Sequence, residues 1–202
     1  MFATFFELGW RHLTEAGAWD HQLFLTCVAL AYVPSLWRRW VVLATAFAVG
    51  HAAAMAGLAL GWLPRGMTWV EPAIAVSIVA LAAYDLWRTW RDPYGIERGP
   101  RWLAGARVGL AVAVLAFGFI HGLGFGGAFV RALGPDAAAA ELWSALAAFT
   151  LGVEAGQLVL LGALWVALYA VLDLAQWRPL LVRRLALAGV LVCGLAVLVA
   201  YV

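Results

Sequence analysis

Apolar residues run through this chain in long blocks, separated by short segments rich in arginine, glycine and proline. An α-helix rises about 1.5 Å per residue, so crossing a hydrocarbon core about 30 Å thick takes about 20 mostly apolar residues. Six segments meet that length: 20–37, 41–62, 69–88, 103–130, 141–172 and 180–201. The fourth and fifth exceed it, which predicts tilt, extension beyond the lipid or a break. A break in the fourth is expected near Gly122, Gly124, Gly126 and Gly127. The leading MFATFFELGWRHLTEAG has neither a basic start nor a clear cleavage site. It reads as a short amphipathic helix at the membrane interface, with Trp10 as an anchor, rather than as a signal peptide. The fold class that follows is all-α: a polytopic helical membrane bundle of about six spans, forming one transmembrane domain over 1–202.

Composition makes the bilayer the solvent. Of 202 residues 66% are hydrophobic and only 12% charged, more apolar surface than a water-soluble domain of this size could hide. Cys27 and Cys193 both lie within apolar runs with no CxxC spacing, which argues against a disulfide framework or a thiolate metal site. The arginines orient the bundle. Arg38 and Arg39 follow the first span; Arg88, Arg91, Arg98, Arg101 and Arg107 surround the third-to-fourth connection; Arg178, Arg183 and Arg184 lie between the fifth and sixth. Arg11, Arg65 and Arg131 alone fall on the other side. By the positive-inside rule the arginine-rich loops are cytoplasmic and both termini face outward. The outer side then carries Glu7, Glu15, Asp20, Glu71, Asp136 and Glu141, a negative mouth that would concentrate cations, or simply acids left uncompensated where arginine is excluded. Trp37, Trp40, Trp62, Trp69, Trp87, Trp90 and Trp177 mark span ends as an aromatic belt.

Against this background the polar residues at depth stand out. The chain has four histidines, His12, His21, His51 and His121, and each lies in or beside an apolar run. Asp20 and His21 head the first span, His51 falls near the middle of the second, His121 in the outer half of the fourth, and Glu154 about thirteen residues down the fifth. Ionisable groups at membrane depth are costly and mark functional pathways. Imidazole and carboxylate together suit a divalent transition metal. Gly152 and Gly156 bracket Glu154, while Gly118, Gly122 and Gly126 repeat the small-xxx-small spacing around His121, so close helix contact should draw both inward. Each residue also has a plainer reading. His51 and His121 can be packing histidines bonded to carbonyls, Glu154 a protonated acid between two helices, Asp20 an N-cap, and His12 a solvated interfacial residue. Gln157 shares the face of Glu154 and could hold it by a hydrogen bond. Asp85 either pairs with an arginine such as Arg88 or lines an inner exit, to which Ser77 and Tyr84 would also contribute.

Five segments together resemble the HupE/UreJ family of bacterial membrane proteins: GAWDHQLFL at 17–25, TAFAVGHAAAM at 45–55, VEPAIAVSIVALAAYD at 70–85, FGFIHGLGF at 117–125 and FTLGVEAGQL at 149–158. The resemblance covers nearly the whole chain, and the last two segments carry it most specifically. It implies a nickel or cobalt permease of the bacterial inner membrane, with a metal site on Asp20, His21, His51, His121 and Glu154. There are departures. Thr14 stands where the family has a histidine six residues before the aspartate, and His12 is two residues further away. Ala48 and Ala52 replace hydroxyl residues, Thr150 an asparagine and Asp85 another. The ligands survive while their surroundings change, so zinc, copper and iron stay open beside nickel and cobalt.

The expected function is a secondary transporter for a divalent transition metal, captured by Asp20 and His21 and held by His51, His121 and Glu154, with Glu154 as the proton-coupling group. Two other classes stay open: an intramembrane metal-dependent hydrolase, since three ligands and a water can activate that water, and a metal-binding sensor or accessory protein. A sealed arginine-rich half would favour either rival, and a polar path to Asp85 would favour transport. The expected partners are the metal ion and the lipid bilayer; a homo-oligomer is open, and nothing signals nucleic-acid binding.

Overall fold

The computed structural model describes residues 1–32, 34–91, 93, 107–134 and 137–201. Arg98, Arg101, Asp136 and the predicted start of the fourth span at 103 lie outside them. The described residues are helical throughout, without strands: α1 (Phe2–Thr14), α2 (Trp19–Leu30), α3 (Trp37–Ala59), α4 (Val70–Arg91), α5 (Arg107–Leu133), α6 (Ala139–Tyr169) and α7 (Pro179–Ala200). Five of these, α3 to α7, contain segments long and apolar enough to cross a membrane. The polytopic all-α class expected from the sequence is therefore the fold.

The first predicted span is built differently. Instead of one helix over 20–37, α2 stops at Leu30, where the Ala31 N–H caps Cys27 and Val28, and a 3₁₀ turn over Pro34–Leu36 leads into α3. Pro34 offers no N–H to continue the helical ladder. At 12 residues, α2 is about 18 Å long and cannot cross alone. The N-terminal segment supplies the missing length. It does not lie at the interface: α1 docks along α6 and buries Phe5, Gly9 and Leu13. Phe5 meets Phe129 edge-on at 5.4 Å, near one end of the bundle, and beyond α2 Tyr32 lies under the Arg39 guanidinium at 5.3 Å, near the other. Two short helices in series thus share the first passage through the bundle.

Glycine sets how closely the helices approach. A methyl group at Gly50 would overlap the Leu115 carbonyl, at Gly118 the Phe47 carbonyl, and at Gly122 the His51 carbonyl. Backbone therefore meets backbone from Phe47 to His51 on α3, and further along Gly126 admits the Leu58 side chain. The same holds between α1 and α6, where Gly9 faces the Phe149 carbonyl and Gly152 the Phe6 carbonyl. The expected break in the fourth span is absent. α5 runs unbroken from Arg107 to Leu133, because its glycines are consumed in helix packing and are held helical by the neighbour they admit. The long fifth segment is 31 residues, about 46 Å, and projects beyond a 30 Å core.

The exterior is what a lipid-facing surface requires. Val42, Val49, Leu151, Val159, Val166, Leu185, Val192 and Val199 are exposed. Trp37, Trp62, Trp69, Trp87, Trp90 and Trp177 are exposed at helix ends, as the belt predicts, whereas Trp40 turns inward and is buried. Arginines gather at one end. Arg88 donates to Asp85 at 2.8 Å, Arg183 approaches the same carboxylate at 3.9 Å, and Arg184 donates to the Thr89 carbonyl and stacks on Trp90. Asp85 is thus an ion-pair centre at the arginine-rich end.

Gly118→Ala should destabilise the purified protein by about 1–3 kcal/mol, because the new methyl has backbone rather than a flexible side chain in its way. Gly162→Ala, into open space on α6, should leave thermal unfolding in detergent unchanged. Equal midpoints for the two variants would contradict the packing described.

Candidate metal centre

The four histidines occupy four helices, and the packing above brings them together. His51 and His121 come from the glycine-joined pair α3 and α5, His12 from the α1 segment docked on α6, and His21 from the first turn of α2. Ring centroids lie 4.6 Å apart for His12–His21, 5.5 Å for His12–His51, 5.9 Å for His21–His51 and 5.4 Å for His21–His121. Ligand nitrogens of His12, His21 and His51 all lie within 4.8 Å of one another. Metal–imidazole bonds of about 2.0–2.1 Å place two ligands of one ion at most about 4.2 Å apart, so small side-chain rotations would close the set around an ion.

The hydrogen bonding orients these rings. His121 Nδ1 lies 2.9 Å from the Phe117 carbonyl. A carbonyl only accepts, so Nδ1 carries the proton and a neutral ring presents Nε2 as a lone pair. His21 Nδ1 lies 2.9 Å from Asp20 Oδ1, which fixes the same tautomer. Among the described residues, Nε2 of His12, His21, His51 and His121 are all buried without a hydrogen-bond partner. Four orphaned nitrogens in one interior are expensive unless something else engages them. A ring held through Nδ1 by a carboxylate or carbonyl, with Nε2 directed at a common centre, is the arrangement metal-binding histidines adopt.

Phenylalanines wall the group. His12 lies tilted against Phe125 at 3.9 Å and His51 stacks on Phe149 at 5.9 Å, while Phe47 meets His121 edge-on at 5.0 Å. Towards the arginine-rich end, Phe24 stacks on Phe47 and Phe117 at 4.7 and 5.6 Å. On the other side a cavity of about 800 Å³ reaches His12 and Asp20, with Glu15, Glu71 and Tyr201 also on its wall.

The residues singled out in the sequence divide accordingly. His21, His51 and His121 converge. His12, the weakest sequence candidate, is one of the central three; nothing in the local sequence marks α1 as a buried helix except the Gly9 and Leu13 positions on the face of His12. Asp20 stands behind His21 with its side chain 29% exposed. It is not an N-cap, since Ala18 occupies that position. Glu154 is placed elsewhere. Its Oε1 accepts from the Thr45 hydroxyl at 2.6 Å; with the buried Gln157 amide turned so that its nitrogen faces acceptors, that nitrogen donates to Glu154 Oε2 at 3.3 Å and to the Ala44 carbonyl at 3.2 Å. Thr45 is six residues before His51, about 9 Å along α3, and no carboxylate joins the three-imidazole group among the described residues. Ser77 donates back to the Ile74 carbonyl within its own helix at 2.6 Å. Glu71, read from the sequence only as one of several outer acids, emerges as part of the cavity wall.

Helices long and apolar enough to span a bilayer make this a polytopic membrane protein, and they enclose a histidine cluster that could hold a metal ion. The sequence model of the family described as HupE / UreJ protein matches residues 1–201, and the chain belongs to that family. No curated protein and no solved structure matches it.

Replacing Asp20 by Asn should weaken nickel binding to the purified protein about 10–100-fold, because His21 loses the partner that orients it. His51→Ala should remove stoichiometric binding. Acidification should release metal from the wild type, since protons compete for the same lone pairs. Equilibrium dialysis across a pH series tests all three; wild-type affinity in either variant, or pH-independent retention by the wild type, would contradict the imidazole centre.

Proposed function

We propose that this protein is a membrane permease for a divalent transition metal, with His12, His21 and His51 as the central ligands and His121 beside them. The observation that carries the reading is the convergence of four histidine rings from four helices, each with a buried Nε2 that has no partner among the described residues. An all-imidazole set suits nickel, cobalt, zinc or copper and disfavours magnesium or calcium, which require oxygen ligands. The HupE/UreJ family is associated with nickel and cobalt transport, so these two metals are the first candidates for cargo.

In this proposal the ion enters through the cavity bearing Asp20 and Glu71 and exchanges its waters for imidazoles. The phenylalanine stack of Phe24, Phe47 and Phe117 separates it from the arginine-rich end. Glu154, with Thr45 and Gln157, is the next polar position along α3 and would receive the ion or a counter-moving proton after the stack yields. Counting α1 and α2 as one crossing gives six among the described residues, which puts both termini on one side in this reading. The arginine distribution supports assigning that side to the periplasm of a bacterial inner membrane.

A second reading has one specific observation in its favour. Three imidazoles beside a cavity also describe a metal that activates water for hydrolysis. Flux separates the two. Purified protein in liposomes should carry nickel or cobalt inward at a rate that His51→Ala abolishes and Glu154→Gln lowers at least about tenfold, while Glu154→Gln still binds metal at equilibrium. Stoichiometric metal binding by the wild type with no flux would sink the permease and leave the hydrolase or a metal sensor.

A further inference from the structure

A second, larger cavity opens at the end of the bundle opposite the arginine-rich end, between the α3–α4 connection and the α5–α6 connection. Its volume is about 1270 Å³. That exceeds what a hydrated ion needs and lies above the usual range of about 300–1,000 Å³ for organic ligands. Its charge is also wrong for a bare cation. Arg65 and Arg131 both line it, beside apolar walls that include Leu58, Met67 and Leu123. These are two of the three arginines that fall outside the arginine-rich loops, and the third, Arg11, is committed to Glu7 at 2.7 Å. Among the described residues neither Arg65 nor Arg131 forms an ion pair. Of the acids nearby, Glu141 is engaged with the Ala138 N–H at 2.9 Å.

The two cavities have one residue in common. Glu71 lines the arginine-bearing cavity and also the smaller one that reaches His12 and Asp20. An anion held by the arginines would therefore sit next to a carboxylate that leads to the imidazoles.

We propose that the arginine-bearing cavity is a binding site for an anionic small-molecule chelate of the metal, a divalent ion wrapped by a compact polycarboxylate. The inference deepens the permease reading and rests on it. Arg65 and Arg131 take the outer carboxylates of the chelator by paired, charge-assisted hydrogen bonds. The apolar walls cover its carbon skeleton. Glu71 then competes with the chelator for the ion at the shared wall and passes it to the histidines, which hold it more tightly because nitrogen donors suit a late first-row metal better than carboxylates do. The chelator stays behind with the arginines and is released. Nothing is oxidised or reduced; ligands exchange around a divalent ion.

The experiment uses the full chain in phosphatidylcholine liposomes, with radiolabelled citrate as the chelator and nickel as the metal. Retention of citrate and of nickel is measured separately, for wild type, for Arg65→Gln with Arg131→Gln, and for Arg65→Lys with Arg131→Lys. Wild type should retain citrate in the presence of nickel, and the glutamine pair should weaken that retention about tenfold or more. Nickel supplied as the chloride should bind both proteins alike within about twofold, and the lysine pair should recover much of the citrate binding. Absence of citrate retention by wild type overturns the proposal, as does an equal loss of chloride-supplied nickel in the glutamine pair. An arginine dependence seen only when phosphatidylglycerol is added would assign the cavity to lipid headgroups and also overturn it. Failure of wild type to bind chloride-supplied nickel is a different result, which removes the permease reading itself.

Discussion

Backbone contact between helices is the constraint on which the rest of this structure depends. Imidazole side chains are short, so four of them can meet in one interior only if the helices that carry them nearly touch. Gly50, Gly118 and Gly122 let α3 and α5 pack carbonyl against Cα, and Gly9 and Gly152 do the same for α1 and α6. Within a bilayer no hydrophobic force drives one apolar helix onto another, since lipid is as good a neighbour as leucine. Close van der Waals contact must supply the attraction, and only glycine gives access to it at these positions. The residues that stabilise the bundle therefore also determine the spacing of the candidate metal centre.

The same interior shows how polarity is tolerated at depth. Asp85 at the arginine-rich end is surrounded by guanidinium groups, and Glu154 rests between a threonine hydroxyl and a glutamine amide. Both are satisfied by the protein itself. The imidazole group is not: Nδ1 of His21 and of His121 is engaged, while the facing Nε2 atoms have no partner among the described residues. A buried nitrogen without a partner costs stability, so the contrast between satisfied carboxylates and unsatisfied imidazoles separates structural polarity from polarity kept for a ligand. Distance supports the division, because Thr45, the partner of Glu154, lies nearly two helical turns along α3 from His51.

Charge gives the molecule a direction. Arginines at one end interact with Asp85, Thr89 and ring faces, while the opposite end carries the two cavities and most of the acids. The acidic cavity carries Asp20 and Glu71 on the same wall as His12, and the phenylalanine stack stands between the imidazoles and the arginines.

Much of this was legible in the residues. Long apolar blocks dictate helices of membrane length, because a backbone in lipid must satisfy its own hydrogen bonds. A histidine in the middle of TAFAVGHAAAM or FGFIHGLGF announces function because so little else polar accompanies it. Glycines spaced by four around His121 point to close packing, and that packing is present. What the pattern could not supply was partnership. Whether α1 lies on the membrane or docks against α6 depends on a face of Phe5, Gly9 and Leu13 that only α6, with its own glycines, can complete; His12 enters the centre by that route. Whether Glu154 meets the histidines or Thr45 depends on the rotation of α6 about its axis, which no spacing within one helix encodes. The apparent break at Gly122 to Gly127 fails for the same reason: a glycine weakens an isolated helix, but a neighbouring helix that needs its missing side chain holds it in place. The sequence by itself determined which segments are helical and which polar groups must be sheltered, but not where the first passage divides into α1 and α2. Tertiary packing alone decided which of those groups face one another, because contact between helices is a property of pairs of surfaces and not of either strand of sequence.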